Sequence, residues 1–486
     1  MLMNSILKAS GKKNKWLKKQ AVEEETDSEE DLTSDDEFDV SQGIVYTLFN
    51  NRYIPIKYLG RGTFSRVWLT YDITENRLVG MKTIFKKYSE EASDEIKRCK
   101  KINNIGVNDH DFRLSYLFDN FIHKSGDICL IFELLGVSMM NIIDHFDGLI
   151  PLAAIKLVIK DMLQGINTLH NLRLIHTDLK PENILTNIYT RGTLFYKNIF
   201  EENNFLETYN QFVSSTLPED YSSFNSAKKK KVKRNTKIKA AKVLCNKIKD
   251  IVTQLVDDAH NEFDKEHAQV TDLSKDELNL DLDLDEEQRD EDSESEGDYY
   301  TFNDYQKEIL LEDEEIVKNI RVKIIDFGNC EEFDKKNQDE ISVRSYRPPE
   351  NFMNSDFNEK ADMWSVGCLL FEFLTGEYLF EIDSDCGQNE RDRRYLYEMF
   401  KILGKMPRDM CLNCEFTDDL FDNKGRILKM RNIDYTSLRE ILVDDFNYEQ
   451  ESADELEGIL KLFLEYNIIN RISAKDALNL EWLKIN

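Results

Sequence analysis

The run His176-Thr177-Asp178-Leu179-Lys180-Pro181-Glu182-Asn183-Ile184-Leu185 places three chemically distinct groups on one short loop. Asp178 is a base able to accept a hydroxyl proton. Lys180 can face a transferring phosphoryl group, and Asn183 can hold Mg²⁺. So many specified positions in one run make a chance match improbable.

Working outward, Asp326-Phe327-Gly328 follows the apolar strand-like run Val322–Ile325, and Asp326 offers a second metal contact. Beyond it stand Pro349-Glu350, Asp362-Met363-Trp364-Ser365-Val366-Gly367 and Arg471. Upstream, Gly60-Arg61-Gly62-Thr63-Phe64-Ser65-Arg66-Val67 sits between two strand-like runs. Two glycines let a backbone turn approach phosphates, although such a fragment also marks an ordinary tight hairpin. Lys82 follows on the next strand. A lysine amid apolar residues needs an anionic partner, and Glu95 on the following helical stretch is the natural one. These elements occur in the order of the protein-kinase template.

Composition bounds the rest. The chain has 486 residues, 41% hydrophobic, enough for a real core. Only 19 Gly and 7 Pro argue against a fibrous or linker protein. With 93 acids against 64 bases the net charge is −29, which disfavours direct nucleic-acid or anionic-membrane binding and suits basic protein partners. No apolar run reaches the length of a membrane span, and the polar, Lys-rich residues 1–20 do not form a signal peptide. The 8 Cys form no framework, and Cys411 with Cys414 is an isolated pair of ordinary thiols, so a reducing compartment, cytoplasm or nucleus, is expected.

Residues 1–45 pass from basic to acidic with few apolar groups and are expected to be a disordered tail. Strand-like patterns at Tyr53–Leu59, Val67–Tyr71 and Leu78–Ile84 precede a helical stretch at Ser93–Ile102. From Leu152 helical spacing dominates. Residues 188–320 interrupt the core as an insert, part helical and part disordered. It holds a basic run, Lys228–Arg234, then Ile238, Val243, Leu244, Ile248, Ile251, Val252 and Leu255 near one helix face, then the acidic tract Asp272–Asp298. Without tail and insert about 308 residues remain, the size of one bilobal enzyme.

The chain resembles the eukaryotic-type protein kinases and, among them, the SR-protein kinase family. The residues carrying the resemblance are the loops above with Asp94-Glu95-Ile96-Lys97, Ile131–Gly136, Thr177, Gly328-Asn329, Thr375–Glu381 and Ile402–Pro407. The insert sits where that family's spacer splits its kinase. The resemblance implies an α+β bilobal fold: an N-lobe at 46–135 and a helical C-lobe at 136–187 and 321–486. It implies ATP with Mg²⁺. Gly60, Gly62 and Val67 would cover ATP, Lys82 contact its phosphates and Glu95 pair with Lys82. Phe132 matches the gatekeeper, Glu133 and Leu135 the adenine-binding hinge, and Leu185 also belongs to the ATP site. Asp178 would be the base, Lys180 the phosphate clamp, and Asn183 and Asp326 the metal ligands. Glu350 with Arg471, and Asp362, look structural.

Thr177 stands where many kinases carry an arginine that binds a phosphate on the activation loop. Threonine cannot do so, and the only hydroxyls expected in the loop are Ser342, Ser345 and Tyr346. Activity without loop phosphorylation is therefore expected, as the resemblance also implies. The family phosphorylates serines in Arg-Ser repeats, so a monomer acting on basic, Arg/Ser-rich proteins is expected. Glu377 and Asp392 match its acidic docking positions, but Arg391, Arg393, Arg394 and Lys401 depart from a purely acidic groove. Phe327 for the usual Leu and Pro349 before Glu350 are further departures. A LAMMER-type kinase shares Thr177 but not the sequence at Tyr395–Gly404, and a scaffold working through the insert is the alternative from another class. Lys228–Arg234 reads as a nuclear-import signal, a partner site or a solvated face. Ser28 and Ser34, each followed by acids, are candidate phosphorylation targets. The residue usage is consistent with AT-rich coding, as in a virus or protist.

Overall fold

The computed structural model describes residues 43–105, 112–278, 301–333, 340–353, 355–381, 388–430 and 433–484. Residues 1–42 of the expected tail and most of the acidic tract Asp272–Asp298 lie outside them, whereas Ile44 and Val45 pack against the N-lobe core.

Five antiparallel strands form the N-lobe: β1 (Tyr53–Gly62), β2 (Ser65–Asp72), β3 (Arg77–Ile84), β4 (Leu117–Ile122) and β5 (Ile128–Glu133), in the order β1-β2-β3-β5-β4. Register separates the two faces. Val67, Leu69 and Tyr71 lie opposite Lys82, Gly80 and Leu78, and Lys82 in turn lies opposite Leu130. Alternation then puts Trp68, Val79, Met81, Cys129 and Ile131 on the other face, where they form a small core with Phe49 and Tyr53. On the Lys82 face the helix α1 (Ser89–Asn103) packs at the β3–β5 end through Ala92, Cys99 and Ile102.

The C-lobe runs through α2 (Met139–His145), α3 (Leu152–Asn171), the short strands β6 (Leu174–Ile175) and β7 (Ile184–Thr186), and resumes after the insert with β8 (Val322–Ile324) and β9 (Glu331–Glu332). β7 pairs with β8 and β6 with β9, so two short ribbons bracket the catalytic loop. Gly136 makes one crossing possible: a Cβ there would stand 1.9 Å from the Ile188 carbonyl oxygen. The helix Lys360–Thr375 is buried at nearly every position, as expected of one apolar all round, and ends at Gly376 with φ 74°.

The described part of the insert is mostly helical. It contains α4 (Arg191–Glu202), α5 (Phe205–Thr216), a 53-residue helix α6 (Ser226–Leu278), α7 (Phe302–Lys307) and α8 (Asp313–Asn319). Lys228–Arg234 lies in the first part of α6. Ala241, Leu244, Cys245, Ile248 and Val252 of α6 join Tyr196, Ile199 and Phe205 in packing on Ile54, Ile56, Leu69, Tyr71 and Ile73. Val243, placed on that face by spacing alone, is 45% exposed. The insert therefore covers the β1–β2 end of the face that carries Lys82. Its last helix returns to the C-lobe, where Ile316 and Ile320 enter the core. Among the described residues no helix is long and apolar enough to cross a membrane.

Candidate active site

Three charged groups from three elements meet beneath the sheet. Lys82 Nζ of β3 lies 2.9 and 3.0 Å from the two carboxylate oxygens of Glu95 on α1, and 2.8 Å from Asp326 Oδ1 just after β8. Glu95 is only 3% exposed, so this pairing removes the cost of leaving either charge buried alone. Burial works against the Lys82 ammonium, but Glu95 and Asp326 outweigh it and raise its pKa above that of an ordinary lysine. Burial likewise works to raise the Asp326 carboxyl, and the Lys82 ammonium overrides it and holds the group below the usual aspartate value. Both groups are charged at neutral pH.

The hairpin above them is positioned by register. Gly60 pairs with Val67, Gly62 with Ser65, and Val67 with Lys82, so the glycine turn and the lysine share one end of the sheet. Phe132 and Glu133 end β5. The Glu133 carboxylate is not open to a ligand: Lys323 Nζ binds it at 2.7 and 2.8 Å, and the Tyr116 amide donates to it at 3.0 Å. The hinge that follows, with Leu135, is pinned by Gly136 N–H to Thr186 O at 2.7 Å and by the Tyr189 hydroxyl to Leu134 O at 3.1 Å. Leu185 on β7 pairs with Lys323 of β8.

The catalytic loop is held from below. Asp362 accepts the amides of His176 and Thr177, each at 2.9 Å, and pairs with His170 Nε2 at 2.9 Å. Thr177 has φ 65°, a costly conformation for a β-branched residue, and three bonds keep it there. Its amide meets Asp362, its hydroxyl donates to Asn329 O at 2.7 Å, and its carbonyl accepts the Ser342 hydroxyl at 2.6 Å. Asp178 accepts from Asn183 Nδ2 at 3.1 Å, with Lys180 Nζ at 3.8 Å. Burial raises the Asp178 carboxyl above its ordinary pKa, although Lys180 and His176 pull the other way.

Asp326 Oδ2 and the Asn183 side-chain oxygen take no protein partner among the described residues, the bonds to these side chains running through Oδ1 and Nδ2. They are hard oxygen donors beside a would-be phosphate site, a donor set that fits Mg²⁺, which binds through one or two carboxylates plus substrate phosphates. The described residues contain no cluster of three or more His, Cys, Asp or Glu arranged for a metal, and Cys411 and Cys414 are buried free thiols.

Away from this centre, Glu350 and Arg471 form a buried bidentate pair at 2.7 and 2.9 Å. Glu377 is exposed, but the Asp392 carboxylate is taken by Arg344 Nη1. The two docking candidates are thus unequal. Sequence inspection missed Arg98, Lys323 and Tyr189. Only Arg98 left a signal, lying one helical turn after Glu95 and so on the same face.

This arrangement is that of a protein kinase, and the chain belongs to the protein kinase domain family, which matches residues 53–193 and 305–483. The chain is similar to serine/threonine kinases that include SRSF protein kinases. It is 27% identical to SRSF protein kinase 3 of Mus musculus, over 90% of this chain and 87% of that protein. It is 26% identical to protein kinase dsk1 of Schizosaccharomyces pombe, over 90% and 81%. A putative serine/threonine-protein kinase, L205, of Acanthamoeba polyphaga mimivirus is 27% identical over 95% and 92%. The chain is a protein serine/threonine kinase whose domain is split by an insert.

Proposed function

We propose that this kinase transfers the γ-phosphate of ATP to serines in basic, Arg/Ser-rich proteins, and that it does so without phosphorylation of its activation segment. The observation carrying the reading is the closed Lys82–Glu95–Asp326 triangle, together with the Ser342 hydroxyl bond to Thr177 O at 2.6 Å that anchors the segment without a charged group. Closure of that lysine–glutamate pair and placement of the aspartate are what loop phosphorylation commonly controls in kinases.

In this reading Gly60, Gly62 and Val67 cover the nucleotide, and Phe132, Leu135 and Leu185 enclose its base. Glu133 contributes through its backbone, its side chain being committed to Lys323. Lys82 meets the phosphates. Asn183 and Asp326 would hold Mg²⁺, which when bound neutralises charge on the phosphates. Asp178 orients the serine hydroxyl and takes its proton, and Lys180 faces the transferred group. Positioning and charge neutralisation supply most of the rate in such a site.

Substrate preference is supported by the net charge of −29, by exposed Glu377, and by the SRSF kinases among the relatives. The test is radiolabelled transfer from ATP with Mg²⁺ to an Arg-Ser repeat peptide, a Lys-Ser version and an acidic protein, with Asp178→Ala as control. Labelling of the Arg-Ser peptide alone, lost in the control, is expected. Preference for the acidic protein would overturn the substrate assignment while leaving the kinase.

A further inference from the structure

Arg98 stands one turn beyond Glu95 on α1, and its Nη1 donates to the carbonyl oxygens of Phe327, at 3.2 Å, and Gly328. These are the two residues after Asp326. The neighbouring carbonyls are also taken. Ile325 O accepts from His176 Nε2 at 3.0 Å, and Asn329 O accepts the Thr177 hydroxyl at 2.7 Å. The carbonyls of Ile325, Phe327, Gly328 and Asn329 around the aspartate are therefore all fixed. The outer two are held by the catalytic loop and the inner two by a side chain of the N-lobe helix.

This grip has a structural reason. Asp326 has φ 61°, a left-handed conformation that a non-glycine residue keeps only when its surroundings over-determine it. A guanidinium is always charged, its Nη1 carries two hydrogens for two adjacent acceptors, and charge assistance strengthens each bond. α1 thus holds Asp326 twice: at the carboxylate through Glu95 and Lys82, and at the backbone through Arg98. The first link fixes the carboxylate but not the φ and ψ torsions at Phe327 and Gly328, which the Arg98 bonds restrain.

We propose that Arg98 is a positioning residue that couples the inward placement of α1 to the orientation of the Asp326 carboxylate, letting the unphosphorylated chain present its metal-binding aspartate. The proposal rests on the assignment of Asp326 as a Mg²⁺ ligand made above. Arg98 touches neither nucleotide nor substrate in this role; it acts through the backbone of the turn.

The experiment uses the full chain, shown by mass spectrometry to carry no phosphate between residues 326 and 350. Wild type, Arg98→Met and Arg98→Lys are compared for kcat, peptide KM and ATP affinity by calorimetry with and without Mg²⁺. Arg98→Met should lower kcat by about tenfold or more and reduce the Mg²⁺ enhancement of ATP affinity by a similar factor, as loss of an outer-shell partner does. Its peptide KM should stay near the wild-type value, and Arg98→Lys should recover part of both losses. Equal weakening of ATP binding with and without Mg²⁺ would overturn the proposal, as would wild-type kcat in Arg98→Met. If Arg98→Met does not fold, wild-type Mg²⁺ enhancement in Arg98→Lys overturns it instead. A wild-type chain whose ATP affinity ignores Mg²⁺ defeats the Asp326 assignment itself, a failure separable from that of Arg98.

Discussion

The Ser342 hydroxyl donates to the Thr177 carbonyl oxygen at 2.6 Å, tying the activation segment to the residue just before the proposed base. Arg347 adds to this from the other side, donating through Nε to Ile341 O at 2.9 Å and through Nη2 to Ser342 O at 3.0 Å. The segment is thus anchored by backbone carbonyls and by the Glu340 carboxylate, which takes Arg347 Nη1 at 2.8 Å, in a place where many kinases use a phosphate and an arginine. Phosphatase-treated protein should keep its full kcat. Ser342→Ala removes one hydrogen bond of about 1 kcal/mol, so kcat should fall by no more than about tenfold. Loss of activity after phosphatase treatment would mean that the anchor does not replace a phosphate.

Asp178 must be ionised to take a proton, and burial raises its carboxyl above the ordinary aspartate pKa of about 3.9. The nearby Lys180 ammonium opposes that rise. In metal-free protein with isotope-labelled aspartate, the signal absent from Asp178→Asn should titrate above the ordinary value. In Lys180→Met it should move higher still. In the proposed role the base is the ionised form, so kcat/KM should fall as pH drops through this pKa. A titration at the ordinary value, unmoved by Lys180→Met, would remove burial as the controlling factor.

Leu244 is 1% exposed in the cluster where α6 meets β1 and β2. Leu244→Ala should cost about 2–4 kcal/mol in denaturant unfolding, the range for a buried leucine that leaves a cavity. A loss below about 1 kcal/mol, typical of a surface change, would mean that the insert does not rest on the sheet in solution.

That docking shows where the sequence stops being legible. The catalytic loop could be read because Asp178, Lys180 and Asn183 lie within six residues and each residue type carries its own chemistry. The helical spacing from Ile238 to Leu255 announced a buried face, but an apolar face does not name what covers it. Tyr71 and Leu69 gave no separate sign, since buried strand residues look alike whichever element packs on them. Spacing put Arg98 on the Glu95 face but could not name its partners, because backbone carbonyls carry no residue identity. Asp392 looked open because Arg344, 48 residues earlier, is brought beside it only by folding.

The Arg344–Asp392 pair bears on substrate docking. Glu377 is exposed and offers its charge to a basic peptide, whereas Asp392 offers one only when Arg344 is gone. Glu377→Gln should raise the KM for an Arg-Ser peptide by about twofold to fivefold, the scale of an exposed ion pair. Arg344→Gln should change KM in the opposite direction by a similar factor. Equal KM values in all three proteins would place the peptide elsewhere.

Glu372 is 4% exposed, and its carboxylate takes the Tyr346 hydroxyl at 2.7 Å with no cation paired to it among the described residues. Burial pushes its carboxyl up to about 8, against the pull of that hydrogen bond, so it is largely protonated at neutral pH. An unfolded chain ionises a glutamate near about 4.3. From there up to about 8 the unfolded state gives up a proton that the folded state keeps. Folding stability therefore declines as pH rises through that window and levels off above it. Glu372→Gln keeps the shape and the acceptor for Tyr346 but cannot ionise. Its melting temperature relative to wild type should climb across the window, ending at least about 2 °C higher at the alkaline end. A difference that stays flat across the window would show that Glu372 is already ionised in the folded protein.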